Sequence, residues 1–173
     1  MPATRALVAS QTGRVHATLG DERQADRHLG DADELLADGL GEAPVWVAYF
    51  DAAEHADARA VSPRDLTAHG RRNRAASICF EDALALRKPG FDRVRVMDRI
   101  GLAAALFDEG EDERGAGAAQ QALDEAARVD STLVTSRLNT LLHAARPYET
   151  AAVNDVLTRA NDLAAARPTT VAA

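Results

Sequence analysis

The stretch Arg5-Ala6-Leu7-Val8-Ala9-Ser10-Gln11-Thr12-Gly13-Arg14-Val15-His16-Ala17-Thr18-Leu19-Gly20-Asp21-Glu22-Arg23-Gln24-Ala25-Asp26-Arg27-His28-Leu29-Gly30-Asp31-Ala32-Asp33-Glu34-Leu35-Leu36 decides the fold. Its apolar residues recur at helical spacing. Val8, Thr12, Val15, His16 and Leu19 are expected to share the face of one helix, and Ala25, Leu29, Ala32 and Leu36 the face of the next. Gly20-Asp21 between them combines a residue that tolerates the left-handed backbone of a helix end with one that caps a helix start. The segment therefore reads as a helical hairpin. Working outward, the same grammar returns at Ile100, Ala103, Ala104 and Phe107, then Gly110, then Ala119, Ala122, Leu123 and Ala126. A middle hairpin is expected to start at Trp46, pass through Phe50 to about Ala60, break at Ser62-Pro63, and resume with Ala75, Cys79, Ala83 and Leu86. Ser before Pro suits a helix N-terminus. A last pair places Val134, Leu138, Leu141 and Leu142 on one helix and Val153, Val156, Leu157 and Ala160 on another.

No stretch alternates apolar and polar residues as a half-buried strand does. Four hairpins in succession suggest a repeat. The tetratricopeptide pattern requires a small residue midway along its first helix, a turn glycine, and two small residues seven apart on its second helix. Gly13, Gly20, Ala25 and Ala32 meet it in the first hairpin; Leu102-Ala103, Gly110, Gly115 and Ala122-Leu123 meet it in the third. Ala76, Phe80 and Ala83-Leu84 match half of it, and the fourth pair lacks a turn glycine. The spacing from Ala32 to Ala83, Ala122 and Ala160 exceeds that of consensus repeats. The expected fold is all-α, a tetratricopeptide-like right-handed helical solenoid of about four hairpins, forming a single domain over 1–166 with a disordered tail at 167–173.

Composition agrees with helices. The 173 residues include 38 alanines and only 4% aromatics, so the core must be built from small side chains in close contact. A net charge of −7 argues against general affinity for nucleic acid or an anionic membrane. One cysteine, Cys79, forbids an intrachain disulfide, and the expected setting is a reducing cytoplasm. No run reaches the ~20 apolar residues of a membrane span.

The run Glu42-Ala43-Pro44-Val45-Trp46-Val47-Ala48-Tyr49-Phe50-Asp51-Ala52-Ala53-Glu54 resembles a segment in the sensory half of actinobacterial helix-turn-helix regulators of the Cro/repressor type. Ala83-Leu84-Ala85-Leu86-Arg87-Lys88-Pro89-Gly90-Phe91-Asp92-Arg93, then Asp98-Arg99-Ile100-Gly101-Leu102-Ala103, and finally Ala145-Arg146-Pro147-Tyr148 extend the resemblance over about residues 5 to 165. In that family a small DNA-binding domain precedes a tetratricopeptide-like domain that receives a signal or a partner. The resemblance implies a regulatory role in transcription control without the DNA-binding part.

The five histidines have no metal-type spacing, and Asp51, Glu54 and His55 read as a solvated or ion-paired face more readily than as a metal site. Cys79 reads as a structural thiol. No nucleophile elbow, phosphate loop or catalytic carboxylate pair stands out, so no enzyme activity, metal or cofactor is expected. Residues 62–99 carry nine basic groups (Arg64, Arg71, Arg72, Arg74, Arg87, Lys88, Arg93, Arg95, Arg99) against five acidic ones, while 108–130 carry eight acidic against two basic. Trp46, Tyr49 and Phe50 hold three of the seven aromatics. They either plug a gap in the core or line a pocket. Binding is expected in a concave groove formed by the first helices of the hairpins, which would expose Arg14, Tyr49, Arg99 and Arg137 among others; the candidate ligand- or partner-binding residues are Arg14, Trp46, Tyr49, Phe50, Arg95, Arg99 and Arg137. The expected partners are a protein or peptide, or an acidic small molecule, with a homodimer left open and no sequence-specific DNA binding by this chain.

Overall fold

The computed structural model describes residues 1–68 and 76–166, which contain eight α-helices and no strand. The expected tail at 167–173, and His69, Arg71, Arg72, Arg74 and Ala75 of the middle hairpin, lie outside the described residues, as does the side chain of Arg64. The chain divides into two compact units, Met1–Arg87 and Lys88–Ala173. The first holds α1 (Pro2–Thr18), α2 (Glu22–Ala37), α3 (Ala52–Ala68) and α4 (Ala76–Leu86); the second holds α5 (Asp92–Asp108), α6 (Asp112–Ala126), α7 (Thr132–Ala145) and α8 (Ala151–Ala166). No helix is long and apolar enough to cross a membrane among the described residues.

In the first unit α1 and α2 form the hairpin that the opening stretch predicts. At its turn the Gly20 N–H donates to Ala17 O and the Asp21 N–H to His16 O, both at 2.9 Å, with Gly20 at φ +78°. That is the Schellman closure, which needs a left-handed residue. Asp21 then caps α2 by accepting from the Gln24 N–H at 3.2 Å. The hairpin is tightest at Gly13, where an added Cβ would sit 2.7 Å from Leu29 Cγ and 3.2 Å from Ala25 O. Glycine is required there by contact, not by backbone angle.

The face expected to bury α1 is corrected by the structure. The buried row is Ala3, Ala6, Ser10, Gly13 and Ala17, while Val8, Val15 and Leu19 are exposed. Helix spacing alone does not choose between two apolar rows. The row of smaller residues wins because it lets the axes of α1, α2 and α3 approach closely. Two further expectations change. Trp46 through Phe50 form a turn preceding α3, not its first residues, and α3 runs through Ser62-Pro63 without a break. Continuing the helix buries Ala60, Ser62, Pro63 and Leu66, and the Ser62 hydroxyl donates to Ala58 O at 2.8 Å. Along α4 the buried row is Ala76, Ser77, Phe80 and Ala83, so Leu86 turns outward and Cys79 is half-buried. α3 packs on α1 and α2, and α4 on α3. A small core of Ala3, Ala6, Val47 and Phe50, flanked by Leu7, Leu35, Leu36, Leu40 and Ala43, closes the end of the α1–α2 hairpin.

The second unit repeats the device. The Gly110 N–H donates to Phe107 O at 3.0 Å and the Glu111 N–H to Leu106 O at 2.9 Å, with Gly110 at φ +87°. A Cβ on Gly115 would meet the Phe107 ring at 2.9 Å. Here the expected faces hold: Ile100, Ala103, Ala104, Phe107, Ala119, Ala122, Leu123 and Ala126 join Val134, Leu138, Leu141, Val153, Val156 and Ala160 in one core. Tyr148, in the turn before α8, lies against the Phe107 ring (centroids 5.5 Å) and donates its hydroxyl to Phe107 O. Burial raises the Tyr148 pKa.

Candidate functional site

The strongest surface candidate is the turn that enters α3. Three successive i→i+3 bonds shape it: Val47 N–H to Pro44 O at 2.8 Å, Ala48 N–H to Val45 O at 3.3 Å, and Phe50 N–H to Val47 O at 2.9 Å. Asp51 ends it by accepting, through Oδ1, from the Ala53 and Glu54 N–H groups at 3.0 and 3.2 Å. Three-residue spacing points Val47 and Phe50 into the core. Val45, Trp46 and Tyr49 point outward, 94%, 64% and 52% exposed. The aromatic trio thus splits between the two roles weighed from sequence: Phe50 plugs the core, while Trp46 and Tyr49 lie at the surface.

Behind the turn lies a polar cluster that sequence reasoning missed. His55, only 3% exposed, meets the Phe50 ring edge-on at 6.5 Å. Its Nδ1 is 3.0 Å from Ser10 Oγ on α1, and its Nε2 is 2.9 Å from Asp33 Oδ1 on α2. The other Asp33 oxygen accepts from Arg59 of α3. Burial lowers the His55 pKa, opposed by Asp33 and assisted by the Arg59 charge, so the ring is neutral at pH 7. A carboxylate only accepts, hence Nε2 carries the proton and Nδ1 accepts from the Ser10 hydroxyl. The three groups echo a hydrolase relay, but Ser10 is fully buried. The cluster ties α1, α2 and α3 together behind the aromatic turn. Its one sequence signal is Ser10, a polar residue in a row of Ala and Gly that must find a partner once buried.

The three residues weighed as a metal site go separate ways. Asp51 caps α3, Glu54 accepts from the buried Arg87, and His55 joins the cluster. No group of three or more His, Cys, Asp or Glu side chains is placed to hold a metal among the described residues. Burial pushes the Cys79 thiol up, outweighing the nearby Arg59, which leaves it a poor nucleophile.

The candidate arginines fall in both units. In the first, Arg14 stands 3.9 Å from Asp57. In the second, Arg99 is held by Glu125 Oε2 at 3.1 Å and Gln121 Oε1 at 2.6 Å. Arg95 lines a cavity of about 340 Å³ with Asp92, Glu125 and Arg128, and Arg137 is half-buried on α7. The structure brings together Trp46 and Tyr49 on one turn, and Arg95 and Arg99 on one helix. No family model, no curated protein and no solved structure matches this chain.

Proposed function

We propose that this chain is a non-enzymatic interaction domain of tetratricopeptide-like hairpins, serving transcription control by docking a peptide, small molecule or partner protein on the Trp46–Tyr49 turn. The observation that carries the reading is the anchored display of two aromatics. A hydrogen-bonded turn held by buried Val47 and Phe50 keeps Trp46 and Tyr49 in water, where large apolar surface is costly unless something covers it. Tryptophan and tyrosine are also the side chains on which binding energy most often concentrates. The tetratricopeptide-like part, with its right-handed solenoid, draws support from the paired Schellman turns at Gly20 and Gly110 and the close approaches at Gly13 and Gly115. The regulatory part draws on the resemblance of residues 42–54 and 83–103 to sensory domains of helix-turn-helix regulators.

An adaptor that joins two proteins without sensing a ligand is the second reading, favoured by the projecting, protein-like chemistry of the turn. The two separate in one experiment. Trp46 is the only tryptophan, so its emission reports directly on the site. A thermal-shift screen of metabolites and peptides is followed by Trp46 emission titrations with the hits, repeated on Tyr49→Ala. A small molecule that shifts the emission and loses affinity on Tyr49→Ala supports the sensor. Protein partners that bind through Tyr49 with no small-molecule response support the adaptor, and hits indifferent to Tyr49→Ala overturn this placement.

A further inference from the structure

We propose that the groove between α1 and α2 is a second docking site, shaped for a basic amphipathic helix of a partner protein. The first observation is the outer face of α1. Its larger apolar side chains point away from the core, with Val8 and Val15 each 58% exposed and Leu19 71% exposed. A solvated helix face is ordinarily polar.

The second observation is the groove beside that face. A cavity of about 670 Å³ runs between the helices. Val8 and Ala9 of α1 and Leu35 of α2 supply apolar surface, and Asp31, Glu34 and Asp38 form a carboxylate row along the α2 wall. Those three follow one helix face at i, i+3 and i+7. Asp31 has a histidine neighbour, His28, at 3.7 Å. Glu34 and Asp38 make no ion pair among the described residues. Residues 21–38 as a whole carry seven acidic groups against two basic ones.

Apolar floor and acidic wall together select the occupant. A partner helix lying in the groove sets Leu-type side chains at i, i+3 or i+4, and i+7 on Val8, Ala9 and Leu35, and arginines or lysines on its flank against the carboxylates. The apolar contacts supply most of the affinity; the rim charges supply selectivity and speed of association. Arg5, the one arginine of the lining and without an ion pair among the described residues, faces a carboxylate of the occupant and so gives it a direction. An acidic peptide or an anionic membrane is repelled by the same wall.

The test uses the full chain and a fluorescein-labelled helical peptide of about 18 residues with leucine on one face and arginine on its flank, beside a version with glutamate in place of arginine. The arginine peptide is expected to bind and the glutamate peptide not. Glu34→Lys/Asp38→Lys and Val8→Asp should each weaken binding by about tenfold or more, with unchanged far-UV circular dichroism. Glu113→Lys/Asp162→Lys, which removes two exposed acids in the second unit, should leave binding within about twofold, as should Trp46→Ala. Equal loss in the two charge-reversal pairs means unspecific attraction and overturns the site. So does a dimer, seen by sedimentation, that Val8→Asp dissolves, because a second copy is then the occupant. Loss on Trp46→Ala with the groove variants intact returns all binding to the aromatic turn.

Discussion

Gly13 and Gly115 hold their places because a neighbour occupies the space of their Cβ, whereas Gly30 and Gly117 have nothing within 4 Å of theirs. The four positions therefore separate helix propensity from packing. Alanine is a better helix former than glycine by about 1 kcal/mol, so Gly30→Ala and Gly117→Ala should raise the melting temperature. At Gly13 the added carbon meets Leu29 at its branch point and a backbone oxygen that cannot swing away. Gly13→Ala should therefore cost about 1–3 kcal/mol of overpacking, net of the propensity gain. Thermal melts of the variants check both signs; a stabilised Gly13→Ala would mean that the helices do not approach as described. His55 makes a prediction of different kind. Its pKa is lowered in the folded chain, so below the unfolded value of about 6.5 the unfolded state binds more protons than the folded one. The stability tied to His55 is fully present above that pH and is lost as pH falls toward the folded value. The groups that face the ring are Ser10, Asp33 and Arg59. Melting curves between pH 7.5 and 5.5 should show this decline, and His55→Gln should flatten it.

The helices differ in how openly the sequence declared them. Both Schellman turns were legible because their signals are local: a glycine, a following acid, and apolar rows on either side. The faces of α2, α6, α7 and α8 were legible because each has one dominant apolar row, whereas α5 buries every residue from Ile100 to Phe107 and so has no single face to read. The burying face of α1 was not, since Val8-Val15-Leu19 competes with Ala3-Ala6-Gly13-Ala17 and only tertiary contact ranks the smaller residues first. Ser62-Pro63 carried a real stop signal, overridden because the continued helix buries Ser62, Pro63 and Leu66. At the site, Trp46, Tyr49 and Phe50 were legible as an aromatic cluster, but not that Phe50 alone would be buried. The tie of His55 to Ser10 and Asp33, residues 45 and 22 positions away, leaves no periodic trace. The small-residue register supplies its own test. Ala32 on α2 and Ala122 on α6 are fully buried, and either Ala→Leu substitution adds volume that close-packed helices cannot accept, costing about 1–3 kcal/mol. Denaturant midpoints would show it, and two wild-type midpoints would reject the register.

At the scale of the whole chain, each unit owns its core. The large cluster around Ile100, Phe107, Leu138 and Val156 lies wholly between Val96 and Ala160, and the Ala3-Ala6-Val47-Phe50 cluster wholly within the first unit. The second core is built from larger aliphatic residues and so buries more apolar surface per side chain, which is the dominant favourable quantity in folding. The first adds to its alanines only Leu29, Val47, Phe50, Leu66 and Phe80 among the large buried apolar side chains of the described residues, and it holds a polar cluster that acid weakens. The two units should therefore unfold at different denaturant concentrations, the first unit earlier, and the gap should widen on acidification. The chain carries the reporters for this measurement. Trp46 reads the first unit alone, while ellipticity at 222 nm reads helices in both. At pH 7.5 the fluorescence midpoint in urea should precede the completion of the ellipticity change. At pH 5.5 the fluorescence midpoint should move lower, and the later part of the ellipticity curve should move less. His55→Gln should cancel the shift in fluorescence. Coincident curves at both pH values would show one cooperative body instead, because two-state unfolding requires every probe to report the same transition.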